Sequence, residues 1–149
     1  MSGMEGLGRV LNVITTADTV GFSMTECSAA TFVVKASGAS SIAITSATTF
    51  AGSYANFTAA NGFSQPTRWY QSTAADGTAV WTKQTASWST ATLTLAGTSG
   101  YVSVFTIFGS QMADGYKYLK GTCTNGTLTV ITHDLTVQRT PANLAKLSA

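Results

Sequence analysis

The chain has 149 residues, which suits one domain, and only 9% of them are charged, against roughly 25% in average soluble proteins. Its net charge of +2 comes from basic residues that form no run or stripe, so the electrostatic footprint of a nucleic-acid-binding protein is missing. The sequence has no apolar stretch long enough for a membrane span and no signal-peptide core between Met1 and Thr16. This indicates synthesis in a reducing cytoplasm, where Cys27 and Cys123 are expected as free thiols, although the sequence leaves open whether they meet.

Short runs rich in Thr, Val, Ile and aromatic residues recur along the chain between Gly, Asn-Gly and Asp-Gly, which predicts strands joined by turns. In chain order we predict strands at residues 10–15, 31–36, 41–46, 67–73, 79–82, 90–96, 101–108, 116–124 and 127–134. Residues 74–77 and the Asn125-Gly126 pair are predicted as hairpin turns, the second because Asn-Gly supplies the positive φ angles of a two-residue turn.

The remaining segments lack periodicity. Residues 47–66 are predicted to form a long loop with at most a short helical turn, and residues 1–20 and 136–149 to form extended N- and C-terminal arms. About eight short strands with regularly spaced turn signals predict a single all-β domain over residues 1–149, either a β-sandwich or a small β-barrel.

Few side chains could carry out acid–base or metal chemistry. Asp76 and Asp114 each precede a glycine, where a turn explains them. His133 is the only histidine and has no zinc-ligand spacing around it, and strand alternation places the adjacent Asp134 on the opposite face. We therefore predict no enzyme activity, no catalytic or metal-binding residues and no cofactor.

Four aromatic residues fall within twenty positions of one another on and beside the predicted 67–82 hairpin: Trp69, Tyr70, Trp81 and Trp88. Because neighbours in a strand alternate, either Trp69 or Tyr70 must face the core. The rest could serve as a carbohydrate-stacking platform or as anchors in a protein interface.

Two strings in the C-terminal half, MADGYKYLK (112–120) and HDLTVQRTPANL (133–144), flank the Asn125-Gly126 pair. Together with Arg68-Trp69-Tyr70 and Trp81-Thr82-Lys83, they resemble small virion structural proteins of tailed phages, particularly phages of actinobacterial hosts. The resemblance implies a decoration or minor capsid protein, made in the host cytoplasm and located in the virion. Its implied partners are the major capsid protein and further copies of itself, for example in a trimer, with no nucleic acid or membrane partner.

Such proteins act through surfaces, so the resemblance transfers no individual functional residue. From apolarity and expected exposure we predict interface residues in the arms and the long loop: Val10, Leu11, Val13, Phe50, Tyr54, Phe57, Phe63, Val137, Leu144 and Leu147. A phage tail component (tube, terminator or fibre tip) and a carbohydrate-binding module are the alternative interpretations.

Overall fold

A computed structural model describes residues 10–14, 20–95 and 97–136 of the chain. Its regular elements are strands, apart from two 3₁₀ turns at Ala59–Asn61 and Gly109–Gln111, which confirms the all-β prediction. The strands are β1 Val10–Ile14, β2 Gly21–Ser23, β3 Cys27–Ala47, β4 Ala55–Asn56, β5 Arg68–Ser72, β6 Trp81–Thr85, β7 Trp88–Ser89, β8 Thr92–Leu95, β9 Val102–Phe108 and β10 Tyr118–Leu135.

Two long antiparallel strands, β3 and β10, form the spine of the sheet. Each of them joins two strands that the sequence predicted separately, so the prediction of a hairpin turn at Asn125-Gly126 was wrong. A two-residue turn of that type needs positive φ at both residues, whereas only Asn125 has it (φ 54°). The chain instead continues past a bulge, where the register shifts between Thr124 and Gly126 and the Asn125 side-chain amide donates to the carbonyl of Ala39 at 3.0 Å.

The bulge divides the spine into two halves that belong to different layers. Before the bend, β3 pairs with β9 up to Lys35, and after the bend it pairs with β8 from Ser40 onward. We call the layer that holds the 40–47 half of β3 the inner layer. It also contains β2, β4, β7 and β8. The outer layer contains β1, β9, β5 and β6 in the order β1-β10-β3-β9-β5-β6.

Side chains from the two layers meet in one core. Gly121 and Leu128 belong to the same strand on opposite sides of the bulge, yet a Cβ on Gly121 would lie 2.9 Å from Leu128 Cδ2 and 3.2 Å from Phe32 Cε1. Seven residues of a straight strand span roughly 23 Å, so β10 must fold over the core. Trp88 of the inner layer also packs edge-on against Phe105 of the outer layer, with ring centroids 6.3 Å apart. These contacts make a sandwich-like fold out of one continuous sheet.

The predicted long loop closes one side of this core. It contains β4 and a 3₁₀ turn, and it buries the rings of Phe57 and Phe63, which are 0% and 3% exposed and stack with centroids 4.6 Å apart. The expected exposure of these two predicted interface residues was therefore wrong, because both rings belong to the core of the domain.

Candidate functional site

Alternate side chains of the outer layer point away from the core and form a surface that we call the outer face. Cross-strand register aligns Val33, Val104, Tyr70 and Lys83 in one row, and Lys35 and Val102 in the next. The face consists of Val33, Lys35, Arg68, Tyr70, Trp81, Lys83, Val102, Val104, Thr106 and Phe108. These residues of β3, β5, β6 and β9 include three cations and no carboxylate, and on the neighbouring β10 the His133 imidazole lies beside the Asp134 carboxylate.

A cleft of about 410 Å³ opens on the outer face between β5 and β9. We call it the β5–β9 cleft, and its walls include two half-exposed aromatic rings, Tyr70 (44% exposed) and Phe108 (50%). Its lining is Pro66, Thr67, Arg68, Tyr70, Val104, Phe105, Thr106, Phe108 and Gln111. Arg68 is the one charged residue in this lining.

The rim of the cleft is held in place by Gln111. Its side-chain oxygen accepts a hydrogen bond from the Phe108 backbone N–H at 2.9 Å, and its amide nitrogen donates to the carbonyl of Ser64 at 2.9 Å. Because both ends of the amide are engaged, Gln111 fixes the wall behind Phe108 instead of presenting a free polar group. The other polar side chains in the lining are those of Thr67, Arg68, Tyr70 and Thr106.

A hydrogen-bonded chain crosses the sheet and ends at the cleft. His133 Nδ1 lies 3.1 Å from Asp134 Oδ2, and His133 Nε2 lies 2.8 Å from the Thr31 hydroxyl. The Thr31 hydroxyl is in turn 2.8 Å from that of Thr106. The prediction that Asp134 could not reach His133 was wrong, because Asp134 has a φ of 57°, which breaks strand alternation at this position.

This series of hydrogen bonds orients the Thr106 hydroxyl group. In the His133 tautomer that donates from Nδ1 to the Asp134 carboxylate, Nε2 accepts from the Thr31 hydroxyl. The Thr31 oxygen then accepts from Thr106, whose own lone pairs are left for a donor in the cleft. Because β3 pairs on both sides at Thr31, the backbone N–H groups there point along the sheet to neighbouring strands and supply no oxyanion hole. The arrangement thus orients one acceptor in the cleft.

The four clustered aromatic residues separate into two pairs. Trp69 is 3% exposed, and Trp88 donates from its indole N–H to the carbonyl of Pro66 at 2.8 Å while packing on Phe105, so both stabilise the core. Tyr70 and Trp81 (53% exposed) remain on the outer face. Two of the four residues of the predicted aromatic platform are therefore available to a ligand.

The predicted interface residues whose side chains the structure describes lie in separate parts of the domain. Val13 in β1 is 42% exposed, while the side chains of Val10 and Leu11 lie outside the described residues, as do Val137, Leu144 and Leu147. Tyr54 is half-buried: its hydroxyl donates to the Phe50 carbonyl at 3.2 Å, and its ring lies under the Lys120 ammonium at 4.4 Å. Phe50 packs edge-on against Tyr118. Phe50 and Tyr54 therefore make contacts within the domain.

Both cysteines are free thiols. Cys27 pairs with Leu135 at one end of β10, whereas Cys123 lies in the other half of that strand, beyond the bulge. Burial raises the pKa of the Cys27 thiol to about 11, and its sulfur lies 3.8 Å from that of Met24. Cys27 is therefore an inert core residue at neutral pH.

Among the residues that the structure describes, no group of three or more His, Cys, Asp or Glu side chains is placed to hold a metal ion. The same residues include no helix long and apolar enough to cross a membrane. No family model, curated protein or solved structure matches the chain.

Proposed function

We propose that this chain is a structural protein of a tailed-phage virion, which binds the outside of the capsid and reinforces the shell. The resemblance of its C-terminal half to such proteins supports the proposal, and so does its scarcity of charged residues. Few ions must then lose their water when the domain is pressed against a neighbour. The major capsid protein is the proposed partner.

The observation that carries the proposal is that Val10 and Thr136, which adjoin the segments outside the described residues, lie at one corner of the domain. Val10, where β1 begins, pairs with His133 near the end of β10, and the N–H of Thr136 donates to the Glu26 carbonyl at 3.0 Å. The segments that precede Val10 and follow Thr136 therefore attach to the same end of the sheet. The exposed Val13 lies on the edge strand beside them. We call this region the β1 corner.

Docking through the β1 corner provides a simple mechanism of reinforcement. A specific interface buries on the order of 800 Å² per partner, and an arm that reaches a second capsid subunit adds area that must be exposed before the shell can split. Each contact repeats over the capsid lattice, so a modest affinity at each site sums to a large resistance against internal pressure.

Co-sedimentation tests the proposal with purified chain and capsids of the encoding phage that lack it. We expect saturable binding that Val13→Asp weakens tenfold or more, because the substitution places a charge in an apolar contact. Val80→Asp is the matched control, since Val80 is 82% exposed and adjoins β6, at the opposite edge of the sheet. Equal binding by both variants, or binding only to tails, would contradict capsid docking through this corner.

A further inference from the structure

We propose that the β5–β9 cleft is a binding site for an acidic glycan, in which a uronate residue is held between Arg68, Thr106 and the rings of Tyr70 and Phe108. This inference goes beyond capsid binding and does not depend on it, because the cleft belongs to the isolated domain. The cleft also lies toward the opposite edge of the sheet from β1.

Charge complementarity defines the sign of the charge that the ligand carries. Arg68 is the only charged residue that lines the cleft, and Lys83 lies opposite Tyr70 on the neighbouring strand. No carboxylate lines the cleft, and no ion pair with Arg68 is present among the described residues. A guanidinium group presents a planar pair of donors that matches a carboxylate, so an anionic group of the ligand is expected at Arg68.

The apolar walls and the size of the cleft define the rest of the ligand. Tyr70 and Phe108 are about half exposed, which leaves ring surface for the C–H groups of a pyranose to cover. A volume of about 410 Å³ lies at the low end of the range of small-molecule sites, which suits one sugar ring better than a folded peptide segment. Three scattered cations on the outer face are too few for the basic stripe that nucleic acids require.

Thr106 supplies the third element of recognition, a directed acceptor. In the His133 tautomer that donates to Asp134, the Thr106 hydroxyl donates its hydrogen bond to Thr31, so the Thr106 oxygen presents lone pairs to the cleft. A sugar hydroxyl is the matching donor. In this scheme Thr106 touches the ligand, whereas Thr31 and His133 act as positioning residues.

A second exposed ring extends the site beyond one sugar. Trp81 pairs with Ser72, one position along the same face from the Tyr70–Lys83 pair. Diagonal neighbours in a sheet lie about 7–8 Å apart, which is within reach of the next sugar in a chain. The proposal therefore predicts that oligomers bind more tightly than a single uronic acid, and that Trp81→Ala removes this advantage.

Isothermal titration of the purified full chain with trimers of galacturonate, glucuronate and mannuronate tests the proposal. We expect at least one trimer to bind, with affinity weakened roughly tenfold or more by Arg68→Gln, since a hydrogen bond to a charged group is lost. Lys117→Gln is the matched control, because it removes the same charge from an exposed residue outside the outer face. Thermal melts establish that both variants fold.

The role of the hydrogen bonds behind Thr106 is tested separately, by the binding affinity of variants at Thr106 and Thr31. Thr106→Val should weaken binding and Thr106→Ser should restore it, and Thr31→Val should weaken binding severalfold although Thr106 itself is intact. The proposal is overturned if no uronate trimer binds, if a neutral glucose trimer binds equally well, or if Lys117→Gln weakens binding as much as Arg68→Gln. Equal binding of polyglutamate or oligothymidylate would overturn the assignment to glycans.

Discussion

Replacing Gly121 by alanine should destabilise the domain, because this glycine lies where the two halves of β10 meet across the core. An added Cβ would lie 2.9 Å from Leu128 Cδ2, 3.2 Å from Phe32 Cε1 and 3.4 Å from Ile42 Cδ1. All three side chains are at most 1% exposed, so none can move aside into solvent. The φ angle of Gly121 is outside the left-handed region, so packing and not backbone strain opposes the substitution.

The magnitude follows from two opposing effects. Overpacking a well-packed core costs about 1–3 kcal/mol. The loss of glycine's freedom in the unfolded chain offsets about 0.4–1 kcal/mol of this. We therefore expect Gly121→Ala to lower the free energy of unfolding by roughly 1–2 kcal/mol, or the melting temperature by about 2–8 °C for a chain of this length.

Gly38→Ala is the matched control in thermal and urea unfolding monitored by circular dichroism. A Cβ on Gly38 would meet only the Cβ of Asn125, at an ordinary 3.8 Å. We expect this variant to be as stable as the parent chain or slightly more stable. If Gly121→Ala were equally stable, the halves of β10 could not pack face to face, and the sandwich-like arrangement would be refuted.

Four further predictions concern the bulge, the thiols and the core. Asn125→Ala should lower the free energy of unfolding by about 1–2 kcal/mol in urea titrations, and Asn125→Gly by less, since glycine accepts a positive φ. In the folded protein a disulfide reagent at pH 8 should modify Cys123 and leave Cys27 unmodified until urea unfolds the chain; equal rates would contradict the burial of Cys27. The folded-state pKa of Cys27 is about 11, against an ordinary 9.0. Because only the unfolded chain loses the thiol proton between these values, the free energy of unfolding should be unaffected by Cys27 below pH 9 and should fall by roughly 1.4 kcal/mol per pH unit from pH 9 to pH 11. The Cys27→Ala variant should lack this pH-dependent fall. Trp88→Phe should lower the free energy of unfolding by about 1–2 kcal/mol through loss of the hydrogen bond to Pro66, whereas Trp81→Phe on the outer face should change it by less than about 0.5 kcal/mol.

Alternation within single strands could be predicted from the sequence, because burial of one face imposes a period of two. Ile42 and Ile44, for example, share a buried face as predicted. The Asn125-Gly126 turn could not be predicted correctly, since an asparagine with positive φ suits a bulge as well as a hairpin. The choice depends on pairing with β3, which is distant in sequence.

The site was less predictable than the fold. Arg68, Thr106 and Gln111 line one cleft only because β5 pairs with β9, and no local pattern encodes that pairing. The contact between His133 and Asp134 was excluded by alternation, and a single positive φ reversed that conclusion. Exposure was misjudged for Phe57 and Phe63, because an irregular segment can cover a core as well as a strand can.

If the chain is the proposed virion protein, a near-atomic density map of the phage particle that contains it tests the central claim most directly. The account predicts that this domain lies on the outer surface of the capsid in many symmetry-related copies, with the β1 corner against the major capsid protein. Density for the domain only in the tail, or its absence from purified particles, would contradict it.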